Sequence, residues 1–231
     1  MGRKLLALCA ILAVLALIGA ALSEDALGAR LGVLRRLDID ISEDAEKLVR
    51  HDLEEARSFY PNLGAEDLLD YASILTCLGA GDYDRATWVM VPVTDGVYAF
   101  DTEMFSIEEG YMDLLGAVER MSGGSIRIEG CRIDIDEEMW TRGKGRFPIE
   151  FSLNGQPCSY MARMDTDWMD LGLLDFLDER VKNLGDGRQL WFMHDGGQGV
   201  ILFYRDAEWA ARFEEATGCR LYASRSEVMG L

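Results

Sequence analysis

The chain has 231 residues, of which 41 are Asp or Glu and 23 are Lys or Arg, so its formal net charge is −18. This charge argues against a nucleic-acid partner, because binding to phosphates along a nucleic acid requires clustered Lys and Arg side chains. Apolar residues make up 49% of the chain, which is enough to form a core and excludes a wholly disordered protein.

Residues 1–23 have the pattern of an export segment. Two basic residues near the start precede an uncharged apolar run over 5–22, and small residues stand three and one positions before Glu24. This is the pattern that signal peptidase recognises. The run is also close to the ~20 residues that span a membrane, so an uncleaved anchor is the alternative. Both interpretations predict an extracytoplasmic protein, either secreted after cleavage before Glu24 or anchored through residues 5–22.

The segment 26–85 is predicted to be helical, and its first helix is amphipathic. Leucines recur at three- and four-residue spacing, at Leu27, Leu31, Leu34 and Leu37. Three arginines accompany them, at Arg30, Arg35 and Arg36. A basic amphipathic helix can lie at a membrane interface. We favour the alternative that it docks on the protein's own core, because its basic residues are few.

Two further helices are predicted in this segment. Ser42 caps the first, which extends to about Tyr60 before Pro61. The second is predicted over 63–78 and ends at the glycines that follow.

The segment 86–231 is predicted to combine three β-hairpins with helices. The paired strands are 88–93 with 97–100, 147–153 with 158–164, and 189–193 with 200–204. Asn154-Gly155 is the strongest of the three turn patterns. Two further strand pieces are predicted around Gly130, and helices are predicted from Ser106 to 121, over 168–184, and from Asp206 to Gly218.

Hairpins that alternate with helices predict an α+β fold: an antiparallel sheet built from hairpins, packed against helices and preceded by a helical N-terminal segment. No linker rich in Pro and Ser follows residue 26. We therefore expect segments 26–85 and 86–231 to form one compact domain.

Four cysteines follow the export segment, and none has C-x-x-C or metal-ligand spacing: Cys77, Cys131, Cys158 and Cys219. Outside the cytoplasm they allow two disulfides in three connectivities. A core formed by more than 200 residues does not need such bridges. Disulfides and free thiols are both compatible with the sequence.

Little in the sequence indicates catalysis. The motifs G-x-x-x-x-G-K-[ST], H-E-x-x-H and G-x-S-x-G are absent. His194 precedes the turn at 195–197 and is a candidate general base with Asp195. Neighbouring strand residues point to opposite faces, so this pair requires the turn to redirect Asp195. We favour a structural or surface role for His194.

Calcium is the one metal that the sequence suggests, because this cation prefers carboxylate oxygens. The candidate ligands are Asp134, Asp136 and Glu138. They do not complete an EF-hand loop, since the position that requires Gly holds Met139. We favour the alternative that these are solvated acids near the ends of strands and helices.

The one basic cluster of the segment 86–231 is formed by Arg142, Lys144 and Arg146, and Trp140 lies beside it. Trp140 fits no clean strand or helix period, so we expect it to be exposed. The cluster could hold an anionic partner. We favour the alternative, a mobile loop that balances the neighbouring acids.

The sequence leads to one hypothesis and two alternatives. We expect an exported or membrane-tethered protein of bacterial type, with a non-catalytic binding or accessory role toward an envelope or extracellular partner. The binding surface would include Trp140, Arg142, Lys144 and Arg146. The alternatives are an extracytoplasmic hydrolase that uses His194 with a nearby carboxylate, and a calcium-stabilised extracellular module.

Overall fold

A computed structural model describes residues 26–59, 69–84, 86, 89–104 and 106–228 of the chain. It confirms the α+β class. Helices alternate with strands, and the described strands form three antiparallel sheets of two, three and three strands. The predicted export segment, residues 1–23, lies outside the described residues.

The first helix, α1 over residues 26–36, docks on the protein's own core. The leucines of the helix and Leu37, which follows it, are all buried: Leu27, Leu31, Leu34 and Leu37. The apolar face is therefore covered by protein, which confirms the docked helix over the interfacial one. The next helix, α2 (Glu43–Phe59), begins where the Ala45 N–H donates to the Ser42 hydroxyl, as predicted.

Helix α3 (Tyr71–Ala80) begins later than predicted. Asp70 has an extended backbone, and its carboxylate accepts a hydrogen bond from the Ser73 N–H. This N-cap starts the helix at Tyr71. The predicted start at residue 63 is wrong for residues 69 and 70, which are not helical, and 63–68 lie outside the described residues.

The predicted hairpin between 88–93 and 97–100 is wrong. Strand β2 (Val89–Val91) pairs with β1 (Asp82–Asp84), whereas β3 (Tyr98–Asp101) pairs with a strand about a hundred residues away. Close packing on α3 holds β3 in that position: a Cβ added to Gly79 would come within 2.5 Å of the Ala99 nitrogen. The local turn exists, but its two flanks belong to different sheets.

One three-stranded sheet has the order β3–β8–β7, with β7 over Arg188–His194 and β8 over Gly199–Asp206. The predicted β7–β8 hairpin is confirmed. Asp206 then caps α7 (Ala207–Thr217), which ends at Gly218 as predicted. A short helix α8 (Arg225–Val228) follows.

The other three-stranded sheet has the order β4–β5–β6: β4 is Ile128–Ile133, β5 is Lys144–Leu153 and β6 is Gln156–Asp165. The two strand pieces predicted around Gly130 are one strand with a bulge there. The hairpin at Asn154-Gly155 is confirmed, with ten residue pairs in register.

Three helices accompany this sheet. Helix α4 (Ile107–Met121) is capped by Ser106 as predicted, and α6 (Gly172–Lys182) is shorter than the predicted 168–184. Helix α5 (Glu137–Arg142) was not predicted. It is too short to show a helical period in the sequence.

Strand β8 connects the two cores of the molecule. Its side chains alternate between them: Leu202 and Tyr204 face the cluster under β4–β5–β6, and Ile201 and Phe203 face the cluster that α1, α2 and α3 cover. All four side chains are fully buried. The helical N-terminal segment thus packs on a strand from the C-terminal part of the chain.

Candidate binding site

The junction between α5 and β5 positions the predicted binding residues. Asp136 caps α5, and Gly143 ends it in the left-handed conformation, with φ 63°. Met139 packs against Gly145, where an added Cβ would lie 2.6 Å from the Met139 side chain. With Met139 turned inward, Trp140 remains 43% exposed at the surface, as predicted.

The β5–β6 ladder fixes the direction of the next side chains. Phe147 and Ile149 point inward and are buried. The alternating residues Lys144 and Arg146 are therefore on the outer face of the sheet, where they are exposed. Lys144 and Arg146 are part of a regular strand and Arg142 ends α5, so the predicted loop is wrong for all three residues.

Arg163 completes this cluster from the neighbouring strand. In the β5–β6 register, Arg146 lies directly opposite Arg163, and Lys144 lies opposite Asp165. The Arg163 backbone N–H donates to Asp170 and so points away from β5. The two arginines therefore form a non-hydrogen-bonded pair, with about 4.5 Å between their Cα atoms. We call Trp140, Arg142, Lys144, Arg146 and Arg163 the basic corner.

Few carboxylates neutralise the basic corner. Arg163 Nη2 lies 3.6 Å from Asp165, and Arg142 Nη1 lies 3.7 Å from Glu138. Within the described part of the chain, no carboxylate oxygen lies within 4.0 Å of the charged nitrogens of Lys144 or Arg146. The basic corner therefore carries an unbalanced positive charge. Like charges directly opposite each other on a sheet are destabilising.

The outer face of the sheet changes character beyond the arginine pair. Pro148 lies opposite Met161, which is 50% exposed. An open groove of about 560 Å³ follows at the far end of the face, and its lining includes Glu129 and Glu150. An anionic ligand would be repelled there and attracted at the basic corner.

Sequence reasoning found four residues of the basic corner and missed Arg163. All four predicted residues, Trp140, Arg142, Lys144 and Arg146, lie at the α5–β5 junction. The Asn154-Gly155 turn contained the information that was missed. A two-residue turn fixes the register of its hairpin, which places residue 163 opposite residue 146.

The structure gives His194 and Asp195 roles in the β7–β8 turn. Nδ1 of His194 accepts a hydrogen bond from the Gly196 N–H at 2.8 Å. The Asp195 carboxylate accepts bonds from the N–H groups of Gly197 and Gly199. Its Oδ1 lies 3.9 Å from His194 Nδ1, too far for a hydrogen bond. Asp195 therefore orders the turn and does not orient the imidazole.

The three candidate calcium ligands have separate partners. Asp136 accepts from the Met139 N–H as the cap of α5, Asp134 lies 3.4 Å from Arg132, and Glu138 contacts Arg142. Among the described residues, no group of three or more His, Cys, Asp or Glu side chains is arranged to hold a metal. The calcium module stays a hypothesis without a clustered ligand set.

The four cysteines are free thiols in the structure, all of them half-buried: Cys77, Cys131, Cys158 and Cys219. Burial raises the pKa of the Cys77 thiol to about 12, and the nearby Asp52 carboxylate adds to this increase. A thiol with so high a pKa is a poor nucleophile at neutral pH.

Comparison with known proteins identifies no relative: no family model, curated protein or solved structure matches the chain. Within the ranges that the structure describes, every helix is too short or too polar to cross a membrane.

Proposed function

We propose that this protein is exported or membrane-tethered and has a non-catalytic binding role at the cell envelope, with the basic corner as its binding surface. The partner is an anionic envelope or extracellular component. If the export segment is not cleaved, residues 5–22 anchor the protein in the membrane.

The observation that carries this proposal is the arginine pair. Arg146 and Arg163 stand opposite each other on adjacent strands, at a position where a carboxylate on either strand would be favourable. The chain has 41 acidic residues. Among the residues that the structure describes, none of them lies within ion-pair distance of Arg146. An anion supplied by a partner would offset this repulsion.

Two further features support a binding role. Exposed Trp140 and Met161 provide apolar contact area beside the charges, and large exposed apolar side chains next to Arg are typical of interface centres. The export pattern of residues 1–23 supports the location of the partner. His194 and Asp195 are engaged in the turn, so we propose no catalytic role for them.

Retention on envelope material from the cells that produce the protein tests this function. Arg146→Gln/Arg163→Gln removes the pair, and Arg127→Gln/Arg132→Gln is the matched control. The control removes two positive charges at the first strand of the same sheet, from Arg132 on β4 and from Arg127 just before it, but these arginines have partners in Glu129 and Asp134. We expect retention to be lost in the first variant only. Equal retention of both variants would overturn the proposal.

A further inference from the structure

We propose that the arginine pair of the basic corner binds a phosphate monoester in its dianionic form. This inference rests on the proposed binding function and names the chemical class of the ligand. The shared chemistry is a terminal phosphate group, whether it is carried by a soluble compound or by a lipid headgroup.

The local charge favours a doubly charged ligand. Lys144, Arg146 and Arg163 bring three positive charges to one patch of the outer sheet face, and Asp165 is the one carboxylate placed among them by the strand register. The patch therefore has a surplus of two positive charges. A phosphate monoester carries about −1.5 to −2 at neutral pH, whereas a carboxylate carries a single charge.

The hydrogen-bonding capacity of the pair points to the same ligand class. Arg163 and Asp165 are 3.6 Å apart at their closest atoms, beyond the usual N–H···O range of 2.7–3.2 Å. The donors of Arg163 thus remain available, together with those of Arg146. One guanidinium group is enough for a carboxylate, which it binds through two parallel bonds. Two opposed guanidinium groups match the three terminal oxygens of a phosphate.

The strands that carry the pair are fixed before any ligand binds. Ten consecutive residue pairs hold β5 to β6. Phe147 and Ala162 anchor the neighbouring positions in the core. The Asp170 carboxylate accepts a hydrogen bond from the backbone N–H of Arg163 and so fixes the backbone there. Binding therefore orders side chains only, which keeps the entropic cost of binding small.

The substituent on the phosphate is expected to be apolar. Next to the arginine pair along the strands, Met161 is half exposed opposite Pro148. Acidic residues elsewhere do not prevent binding, because charges more than about 8 Å away are screened at physiological ionic strength. A phosphate that carries an apolar group would contact the arginine pair through its oxygens and Met161 with Pro148 through that group.

The test is a titration of the purified protein with phenyl phosphate, benzoate and methyl phosphate at constant ionic strength, followed by the Nε–H resonances of ¹⁵N-labelled arginine. We expect saturable shifts of Arg146 and Arg163 with phenyl phosphate, weaker binding of methyl phosphate, and no saturation with benzoate. Isothermal titration calorimetry measures the variants, which lack some of these resonances: Arg146→Gln/Arg163→Gln should weaken binding about tenfold or more, because charge-assisted bonds are lost. Arg127→Gln/Arg132→Gln should bind normally.

The pH dependence provides a second readout. A phosphate monoester gains its second charge with a pKa near 6, so the dianion rises about tenfold between pH 5 and pH 7. The charged groups around the pair are Lys144, Asp165, Arg142 and Glu138. We expect the affinity to rise about tenfold across this pH interval.

The outcomes separate the two proposals. Equal binding of benzoate and phenyl phosphate, or an affinity that is constant between pH 5 and pH 7, would overturn the phosphate assignment while envelope retention through the pair still stands. If Arg146→Gln/Arg163→Gln changed neither the binding of phenyl phosphate nor the retention on envelope material, both proposals would be overturned. Sedimentation with vesicles that contain phosphatidic acid, against vesicles that contain phosphatidylglycerol, then distinguishes a lipid monoester from a soluble one.

Discussion

Arg146 on β5 lies directly opposite Arg163 on β6, and both side chains are exposed on the same face of the sheet. A pair of like charges at this position lowers the stability of the hairpin that carries it. Residues that are retained at a cost to stability are common where binding requires them. The pair therefore predicts opposite effects of one substitution on stability and on binding.

We expect Arg146→Glu to stabilise the protein and abolish binding. The new carboxylate would face Arg163 across the strands, and such a change is worth roughly 0.2–1 kcal/mol at an exposed position. Urea unfolding measures the change in the free energy of unfolding, and envelope retention measures binding.

The matched control is Arg132→Glu on the same sheet. Arg132 lies opposite Glu150 and contacts Asp134, so the same charge reversal places like charges together and should destabilise the protein. A destabilised Arg146→Glu variant would contradict the assigned register of the pair.

The pair also shows how far the sequence determines the site. The Asn154-Gly155 turn fixes the β5–β6 register by local rules, so the position of Arg163 opposite Arg146 could be predicted. The partner of β3 could not be predicted in this way. Its flanking turn at residues 94–96 is a local pattern, whereas the choice of β8 depends on packing against α3 and on contacts about a hundred residues away.

Two other features were beyond the sequence for physical reasons. Helix α5 makes less than two full turns, so no apolar period distinguishes it from a loop. The engagement of Asp195 by backbone N–H groups depends on the conformation of the turn. A sequence alone does not show which side-chain acceptors receive hydrogen bonds from the backbone N–H groups of a turn.

Asp170 is expected to hold the exposed edge of β6. Its carboxylate accepts hydrogen bonds from the Arg163 N–H, the Gly172 N–H and the Tyr160 hydroxyl. Asp170→Ala leaves these donors without that acceptor, which should cost about 1–3 kcal/mol of unfolding free energy. An edge strand freed in this way also promotes association between chains. Chemical denaturation and light scattering measure the two effects.

Asp167→Ala is the control for this substitution. The Asp167 carboxylate accepts a bond from the exposed Thr166 hydroxyl, so its loss should change stability by less than about 0.5 kcal/mol. Similar losses in the two variants would show that Asp170 has no special role at the strand edge.

The thiols should be free in the purified protein. Cys131 and Cys158 lie on β4 and β6, on either side of β5. Two strand spacings separate them by roughly 9–10 Å, beyond the ~7 Å between Cα atoms that a disulfide allows. Alkylation in denaturant without reductant should modify Cys77, Cys131, Cys158 and Cys219, as measured by intact mass. In the native state Cys77 should react slowest, because burial raises its pKa to about 12. Unmodified pairs of cysteines would reveal disulfides and contradict the structure.

Two carboxyl groups on α2 should give opposite pH dependences of stability. Hydrogen bonds from Arg35 and Arg50 lower the pKa of Glu46 in the folded protein. Its contribution is present above its unfolded pKa and is lost as the pH falls through the folded pKa. Burial, with the nearby acids Glu55 and Asp82, raises the pKa of Asp52. Its contribution is complete below its unfolded pKa and is lost as the pH rises through the folded pKa.

The two isosteric variants test these signs against each other. Relative to the unmodified protein, Glu46→Gln should lose more unfolding free energy at pH 7 than at pH 3, because protonation of the carboxylate as the pH falls removes its attraction to the arginines. Asp52→Asn should gain unfolding free energy at pH 7 and little at pH 3, because the amide removes a half-buried charge. Urea unfolding at both pH values measures the differences. The assignment of either group would be wrong if its variant changed stability equally at pH 3 and pH 7, since a change that is independent of pH does not arise from titration of that carboxyl.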